Sequence, residues 1–388
     1  MALASAMAAI AIDTLLPAFE QMRPAFGLDS DSTRLSLTLT LFFAGMAVGT
    51  LFYGPLADAI GRKPLLFVSL GLYAAAAVVG ALAPSLEVLL ASRFVWGFAA
   101  AGPRTLTQAI VRDRFSGTAM ARAMTLIQTA FFLGPILAPI LGKGLVALGS
   151  WRYVMVFGAV SAGVLALWSL RLPETLAEEN RRPLTVGNTV AGFRSVIANR
   201  TTLGYTLAVT FGFGAFFSFL ASSELIFVDV YSRPSWFVPY FSTMSTIAAG
   251  VSVMTNRMLR RVEAGPLALR SGVALVVTSG ALLAATAAAS GLPRIGVWIL
   301  LFSLANASFI GFFPVAISLA LEPMGAMAGT AAAVVGFCTT GVGAVLAAIT
   351  DRAIDGDVMP IGVSYFVYGV LALACQLWAR RETRRAAV

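Results

Sequence analysis

The chain has 388 residues, 59% of them hydrophobic and only 12% charged, a composition that excludes a soluble globular domain and belongs to a polytopic membrane protein. A net charge of +9 raises the question of a nucleic-acid partner, and the complete absence of His removes the commonest zinc ligand and the usual general base. Only two Cys are present, Cys338 and Cys375, and both fall inside apolar runs, so no disulfide framework is implied.

In chain order, the first apolar run covers residues 1–19. It lacks a basic n-region, so no cleaved signal peptide is expected, and it is short for a first span, as though the chain started late. Within it lies Asp13, about 9 Å from the end of the run at 1.5 Å per residue. A carboxylate at that depth costs ~2.5–3.5 kcal/mol on insertion scales, so it should face a cavity, and intramembrane acids usually mark ion or proton paths. An interfacial Asp at the end of a short helix is the plainer alternative. Further uncharged or nearly uncharged runs follow at residues 35–57, 65–86, 94–103 (extended back to about 85), 123–142, 153–170, 201–223, 234–256, 271–293, 295–321, 323–350 and 358–379. Since ~20 apolar residues span ~30 Å of hydrocarbon, the expectation is an all-α polytopic membrane protein of about twelve transmembrane helices. Residues 171–200 form the only long polar stretch and divide the chain into a six-helix bundle (1–170), a cytoplasmic linker (171–200) and a second six-helix bundle (201–388).

The basic residues decide the topology. Arg62 and Lys63, then Arg112, Arg114 and Arg122, then Arg171, Arg181, Arg182, Arg194 and Arg200, then Arg257, Arg260, Arg261 and Arg270, and finally Arg380, Arg381, Arg384 and Arg385, fall on alternate loops and at the C-terminus. The positive-inside rule makes that side cytoplasmic, with both termini inside. The basic balance is therefore topology and not a nucleic-acid footprint. Abundant Ala and the preference for Arg over Lys suggest a GC-rich bacterial genome, and the expected location is the bacterial inner (cytoplasmic) membrane.

The second and third runs are joined by Gly54-Pro55-Leu56-Ala57-Asp58-Ala59-Ile60-Gly61-Arg62-Lys63-Pro64. This G-x-x-x-D-x-x-G-R-K-P spacing resembles the loop between helices 2 and 3 of major facilitator superfamily transporters, with Ala59 where the family usually has Arg. Residues 256–261 are a degenerate echo of it in the second half. Two six-helix halves around a midplane site are the layout of that superfamily. In the fourth run, Arg93-Phe94-Val95-Trp96-Gly97 resembles the family's R-x-x-Q-G motif, with Trp96 in place of Gln. Arg93 lies at a depth close to that of Asp13, which makes it the natural charge partner. Arg104 follows three helical turns later on nearly the same face, and Gln108 and Arg112 continue the stripe. For Arg104 and Arg112, pairing with Asp58 or with backbone carbonyls stands level with a functional role. In the fifth run, Gly134, Pro135 and Pro139 resemble the helix-5 motif of antiporters; the two Pro free carbonyls and are expected to bend the helix.

Asp13-Thr14-Leu15-Leu16-Pro17, Tyr53–Asp58, Ala109-Ile110-Val111-Arg112-Asp113, Leu133–Gly142, Leu321-Glu322-Pro323-Met324-Gly325 and Ala328-Gly329-Thr330-Ala331 together resemble the bicyclomycin/chloramphenicol-resistance (Bcr/CflA) drug-exporter family. The resemblance implies efflux of small amphipathic drugs in exchange for protons, by alternating access. Asp13 and Arg93 would carry proton coupling, and Gly54, Asp58, Gly61, Arg62 and Lys63 the cytoplasmic gate. No Walker-type loop is present to bind nucleotide, so no cofactor and no metal is expected. The partners are a drug, protons and the bilayer, and the state a monomer. Phe131, Phe216, Glu224 and Asn306 are candidates to line a substrate cavity, since drug sites are mostly apolar and aromatic, although most Phe in membrane helices face lipid or neighbouring helices. Asp113 and Glu174 read as loop residues. One rival reading is a metabolite or sugar transporter on the same fold, disfavoured because Asn306, Gln108 and Gln128 are nearly the only intramembrane amides. An intramembrane enzyme or a non-transporting receptor is the other, disfavoured by the missing His and soluble domain.

Overall fold

The structure is a computed structural model that describes residues 2–29, 34–181, 183–354 and 356–386; the side chains of Asp13, Phe131, Pro135, Pro139 and Glu224, among others in the helices, lie outside the described set. Among the described residues every regular element is helical, as a bilayer demands, because a helix satisfies its backbone polar groups within one segment. The helices are α1 (Ala2–Asp13), α2 (Phe19–Ala25), α3 (Leu37–Ile60), α4 (Arg62–Ala81), α5 (Leu86–Arg114), α6 (Gly117–Ala147), α7 (Arg152–Ser169), α8 (Val186–Ala198), α9 (Arg200–Leu225), α10 (Pro234–Met258), α11 (Ala264–Ala288), α12 (Ile295–Leu321), α13 (Ala328–Phe337), α14 (Gly343–Asp351) and α15 (Met359–Ala386). Among the described residues nine stretches are long and apolar enough to cross a membrane. Helix α5 is not one of them, because it carries Glu87, Arg93, Arg104, Arg112, Asp113 and Arg114. Large apolar side chains face outward, as on a lipid-bathed surface: Leu167 is 70% exposed and Trp168 71%.

One local departure from the sequence reading has a physical cause. Residues 1–19 do not form one helix. Helix α1 stops at Asp13, a 3-10 turn follows at Leu16–Ala18, and α2 resumes at Phe19. Pro17 has no N–H to give the Asp13 carbonyl, and the Thr14 hydroxyl donates back to Ile10 O at 2.7 Å. Helix α6, in contrast, runs as one element from Gly117 to Ala147 through both prolines. The polar stretch 171–200 contains the amphipathic α8, which buries Gly192 and Val196 and exposes Val190 and Ile197.

The chain forms two compact units. The first comprises Met1–Arg114, Ile127–Phe193 and Ala326–Val334; the second comprises Phe115–Leu126, Arg194–Gly325 and Val335–Val388. In the first unit the core is built around Phe42, Tyr73, Leu89, Trp96 and Met155. Trp96 stands edge-on to Tyr73, with ring centroids 5.3 Å apart, and a Cβ on Gly158 would collide with its indole. That close fit explains how Trp is accommodated where related sequences are expected to carry Gln. Helices α3 and α5 approach through glycine: a Cβ on Gly97 would strike the Phe42 backbone, and one on Gly45 the Phe94 backbone. Such contact supplies packing where lipid offers no hydrophobic drive. Because the obstacle is backbone, Gly97→Ala is expected to cost about 1–3 kcal/mol, read as a lower melting temperature of the purified protein. Gly71→Ala, where an added Cβ meets nothing, should leave it unchanged. The second unit packs around Phe219, Tyr240, Leu282, Trp298, Phe302 and Tyr365, with Trp298 and Phe302 stacked nearly parallel at 4.8 Å.

Candidate functional site

The densest polar arrangement lies at the α3–α4 turn, within the first unit. Helix α3 continues through Gly54 and Asp58 to Ile60, so Asp58 sits in its last turns and not in a loop. Gly61 alone breaks the helix, at φ +110°, a conformation that favours glycine; a Cβ there would also strike the Glu174 carboxylate. Asp58 is buried and uses both oxygens: Gly329 N donates to Oδ1 at 3.0 Å, and Thr330 donates to Oδ2 through its N–H at 2.8 Å and its hydroxyl at 2.6 Å. The donors lie at the start of α13, where unsatisfied N–H groups favour an anion. On the other side, Arg62 Nη2 pairs with Asp58 Oδ1 at 3.1 Å. The backbones must approach for this to happen, and a Cβ on Gly54 would fall against Ala333 and Gly329.

Arg62 is wholly buried and every donor group is occupied. Nη1 donates to Ala57 O at 2.7 Å, and Nε donates to Asp113 Oδ2 at 2.9 Å. Asp113 also accepts from the Thr175 hydroxyl at 2.9 Å. Glu174 caps the start of α4, accepting from Arg62 N and Lys63 N, each at 3.0 Å, and from Thr175 N and Leu176 N. Lys63 stands aside, its ammonium exposed and donating to Leu170 O. A bonded chain, buried at Thr330, Asp58 and Arg62 and partly buried at Asp113 and Thr175, thus runs Thr330–Asp58–Arg62–Asp113–Thr175. Asp58 pairs with Arg62, from its own turn.

Partial burial works to raise the Glu174 pKa, but the backbone donors Leu176, Arg62, Lys63 and Thr175 outweigh it and hold the carboxyl below its ordinary value. A depressed carboxylate stabilises the fold above the unfolded pKa of about 4.3, and that contribution is lost as pH falls through the folded value. Glu174→Gln should therefore lower the melting temperature at pH 7 and flatten its acid dependence, as read by thermal unfolding between neutral and acidic pH.

Arg93 lies elsewhere in the first unit, wholly buried. Its Nη1 donates to Ala11 O at 3.2 Å and its Nε to Thr38 O at 3.3 Å, and its guanidinium lies over Phe42 and Trp96 at 4.5 and 5.0 Å. It therefore holds the broken end of α1, two residues before Asp13, whose side chain lies outside the described set. Among the described residues, no acceptor reaches Arg93 Nη2. Arg104 is buried on α5, whereas Arg112 is partly exposed near the end of that helix. Gly134 packs against Ala9; Phe131, Pro135, Pro139 and Glu224 lie outside the described side chains. Phe216 is half-buried and stacks on Phe309 at 5.4 Å. Asn306 is wholly buried. It accepts from Tyr365 OH at 3.1 Å and donates to Phe302 O, so its amide is spent inside the aromatic core and does not line open space.

Sequence reasoning missed Asp113 and Glu174 as members of the charge chain. The available signals were the Arg112-Asp113 pair closing α5 and Pro173-Glu174-Thr175 just beyond α7.

Apolar helices with outward-facing apolar side chains describe a multi-pass membrane protein. Residues 1–348 match the Major Facilitator Superfamily, and the chain belongs to that superfamily, which makes it a transporter of small molecules and not an enzyme. It is 33% identical to the bicyclomycin resistance protein homolog of Haemophilus influenzae over 344 residues, covering 87% of this chain and 84% of that protein. It is 27% identical to multidrug resistance protein D of Escherichia coli, covering 87% of this chain and 84% of the relative. Among solved structures, the proton:xylose symporter XylE bound to 6-bromo-6-deoxy-D-glucose superposes with a TM-score of 0.79 at 13% identity, over 98% of this chain and 94% of that one; this is a likeness of fold.

Proposed function

We propose that this transporter exports small amphipathic drugs of the chloramphenicol or bicyclomycin kind across the bacterial inner membrane in exchange for protons. The proposal takes α5, α6 and α10 as spans alongside the nine apolar stretches, giving twelve, with bundles at 1–170 and 201–388, the linker between them, both termini cytoplasmic and a monomeric state. The observation that carries it is the buried Asp58 carboxylate holding Gly329 and Thr330. It is a tie between distant parts of the sequence that can lock one state and be released for the other. Asp13 takes and gives up the proton, with Arg93 as its charge partner; Asp58 and Arg62 work the cytoplasmic gate. Bicyclomycin follows the name of the Haemophilus influenzae relative and a drug substrate that of the Escherichia coli one; chloramphenicol follows the family resemblance. The driving force suffices: a charge crossing ~100 mV gains ~2.3 kcal/mol and one pH unit adds ~1.4 kcal/mol. Together they sustain a gradient of roughly several hundredfold.

The test is chloramphenicol accumulation in inverted vesicles under an imposed pH gradient. Accumulation should appear with the gradient and collapse with a proton uncoupler. Uptake unaffected by the uncoupler would remove proton coupling, and gradient-driven uptake of a sugar without any drug would favour the metabolite reading.

A further inference from the structure

Helix α8 takes no part in the charge chain or in the Arg93 cluster, yet its surface is unlike that of a solvated linker. It carries Arg194 and no acid. Thr185 caps its start, the hydroxyl accepting from Asn188 N at 3.1 Å, so its own sequence fixes that end. At about 100° per residue, distinct faces run along it. Gly192 and Val196 are buried, whereas Val190 and Ile197, seven residues apart and so on one stripe, are 59% and 53% exposed. Arg194 is exposed beside that stripe; Asn188 and Ser195 lie on the other side of the packed face. The end of α8 sits at the edge of the bilayer for a covalent reason. Asn199 alone joins it to α9, whose residues 200–220 are long and apolar enough to cross a membrane. At ~3.5 Å per residue, Ala198 lies within about 7 Å of Arg200. Asn199 is extended, at φ −74° and ψ 105°, and caps α9 by accepting from Thr202 N at 2.9 Å. Helix α8 therefore turns away from the axis of the span instead of prolonging it. An apolar stripe flanked by a cation, held at that level, is the pattern of a helix lying in the headgroup layer.

We propose that α8 docks on the anionic lipid surface of the membrane, and that this contact backs the Asp58 tie. Val190 and Ile197 enter the acyl boundary, and Arg194 takes a lipid phosphate, an attraction that a zwitterionic headgroup offsets with its own cation. The packed face carries the effect inward. The space beside Gly192 ends at Thr330, whose methyl would meet an added Cβ at 3.5 Å. Thr330 is also the residue whose N–H and hydroxyl Asp58 holds. With α8 held on the bilayer, Thr330 has less room to leave the carboxylate, so anionic lipid favours the locked state. The gating consequence rests on the transport reading above, whereas the docking does not.

The test uses the full-length protein in nanodiscs of phosphatidylcholine alone or in equal parts with phosphatidylglycerol, with Cys338 and Cys375 replaced by Ser. A nitroxide on Ile197→Cys should, in the anionic discs, meet dissolved oxygen and be shielded from a water-soluble nickel complex, while one on Asn188→Cys shows the reverse. Without phosphatidylglycerol the docked population should fall about fivefold, the effect of one Arg at an anionic surface. Arg194→Gln should erase that dependence and Arg194→Lys keep it. A label at 197 as open to the nickel complex as the one at 188 in both lipids overturns the docking. Shielding that is equal in both lipids and untouched by Arg194→Gln overturns the choice of anionic lipid. The tie is read separately, as the distance between nitroxides on Ile60→Cys and Met327→Cys, either side of it. The short-distance fraction should rise with phosphatidylglycerol and lose that rise in Arg194→Gln; Asp58→Asn sets the released distance. A docked helix with the same short-distance fraction in both lipids overturns the link to Asp58. Both readings are taken without drug, so they and the transport reading fail separately.

Discussion

Asp58→Asn should remove most transport while leaving substrate affinity near that of the wild type. The carboxylate serves Gly329 N, the Thr330 N–H and hydroxyl, and Arg62 Nη2 at once. Asn keeps one acceptor oxygen and turns an N–H₂ toward donors, so part of the Gly329–Thr330 tie is lost. Arg62 also loses a buried counter-charge and keeps only Asp113. Removing one partner of a buried ion pair costs on the order of 3 kcal/mol, enough to shift the balance between the locked and released states by roughly a hundredfold. The effect falls on the conformational cycle, because every group involved is spent within the chain and none is left over for a ligand. Thr330→Val removes a single hydroxyl donor and should cost about 1 kcal/mol, giving an intermediate transport rate. The two readouts are the initial transport rate in vesicles and the binding constant of the purified protein. Equal loss of both in Asp58→Asn would move the residue into the substrate site.

The helical class, the apolar stretches and the importance of the 54–63 turn are all legible in the sequence, because hydropathy and the Gly/Asp/Arg spacing are local signals. What the turn does is not. The partners of Asp58 lie about 270 positions away, and nothing near Gly329 or Thr330 distinguishes them from other small residues in an apolar run. Arg62 reads as a loop cation on the basic side, yet it is wholly buried, since Asp58 and the Ala57 carbonyl of α3 and Asp113 of α5 converge on it. Glu174 reads as a loop acid because the acceptor role it fills, the N-terminus of α4, exists only once that helix packs against the segment after α7. Pro17 did signal the break after Asp13, but the surrounding apolar run masked it. Two π-helical turns, Ile226–Val230 and Cys338–Val342, carry no composition cue, for their wider hydrogen bonding is set by packing.

Asp13→Asn should abolish gradient-driven drug accumulation, taking it from several hundredfold to near equality across the membrane, while sparing exchange of drug for drug. Asp13 ends α1 at a break, and Arg93 fixes that end by donating to Ala11 O while its charge rests on the faces of Phe42 and Trp96. A carboxylate beside a helix break can change partners without dragging an intact helix with it, and intramembrane acids lie on proton paths. Asn fills the same volume but cannot carry a proton, so the coupled cycle stops while the uncoupled exchange half of it continues. Asp13→Glu keeps a titratable group at the cost of one methylene and should retain part of the accumulation. Arg93→Leu is a different lesion: it frees the carbonyls of Ala11 and Thr38 as well as removing the charge, so it should lower the melting temperature along with transport, whereas Asp13→Asn should leave stability nearly intact. The measurement is drug accumulation in inverted vesicles under an imposed pH gradient, run beside drug counterflow without one. If Asp13→Asn accumulates drug as the wild type does, the proton travels by another route, and Glu224 is the residue to test next.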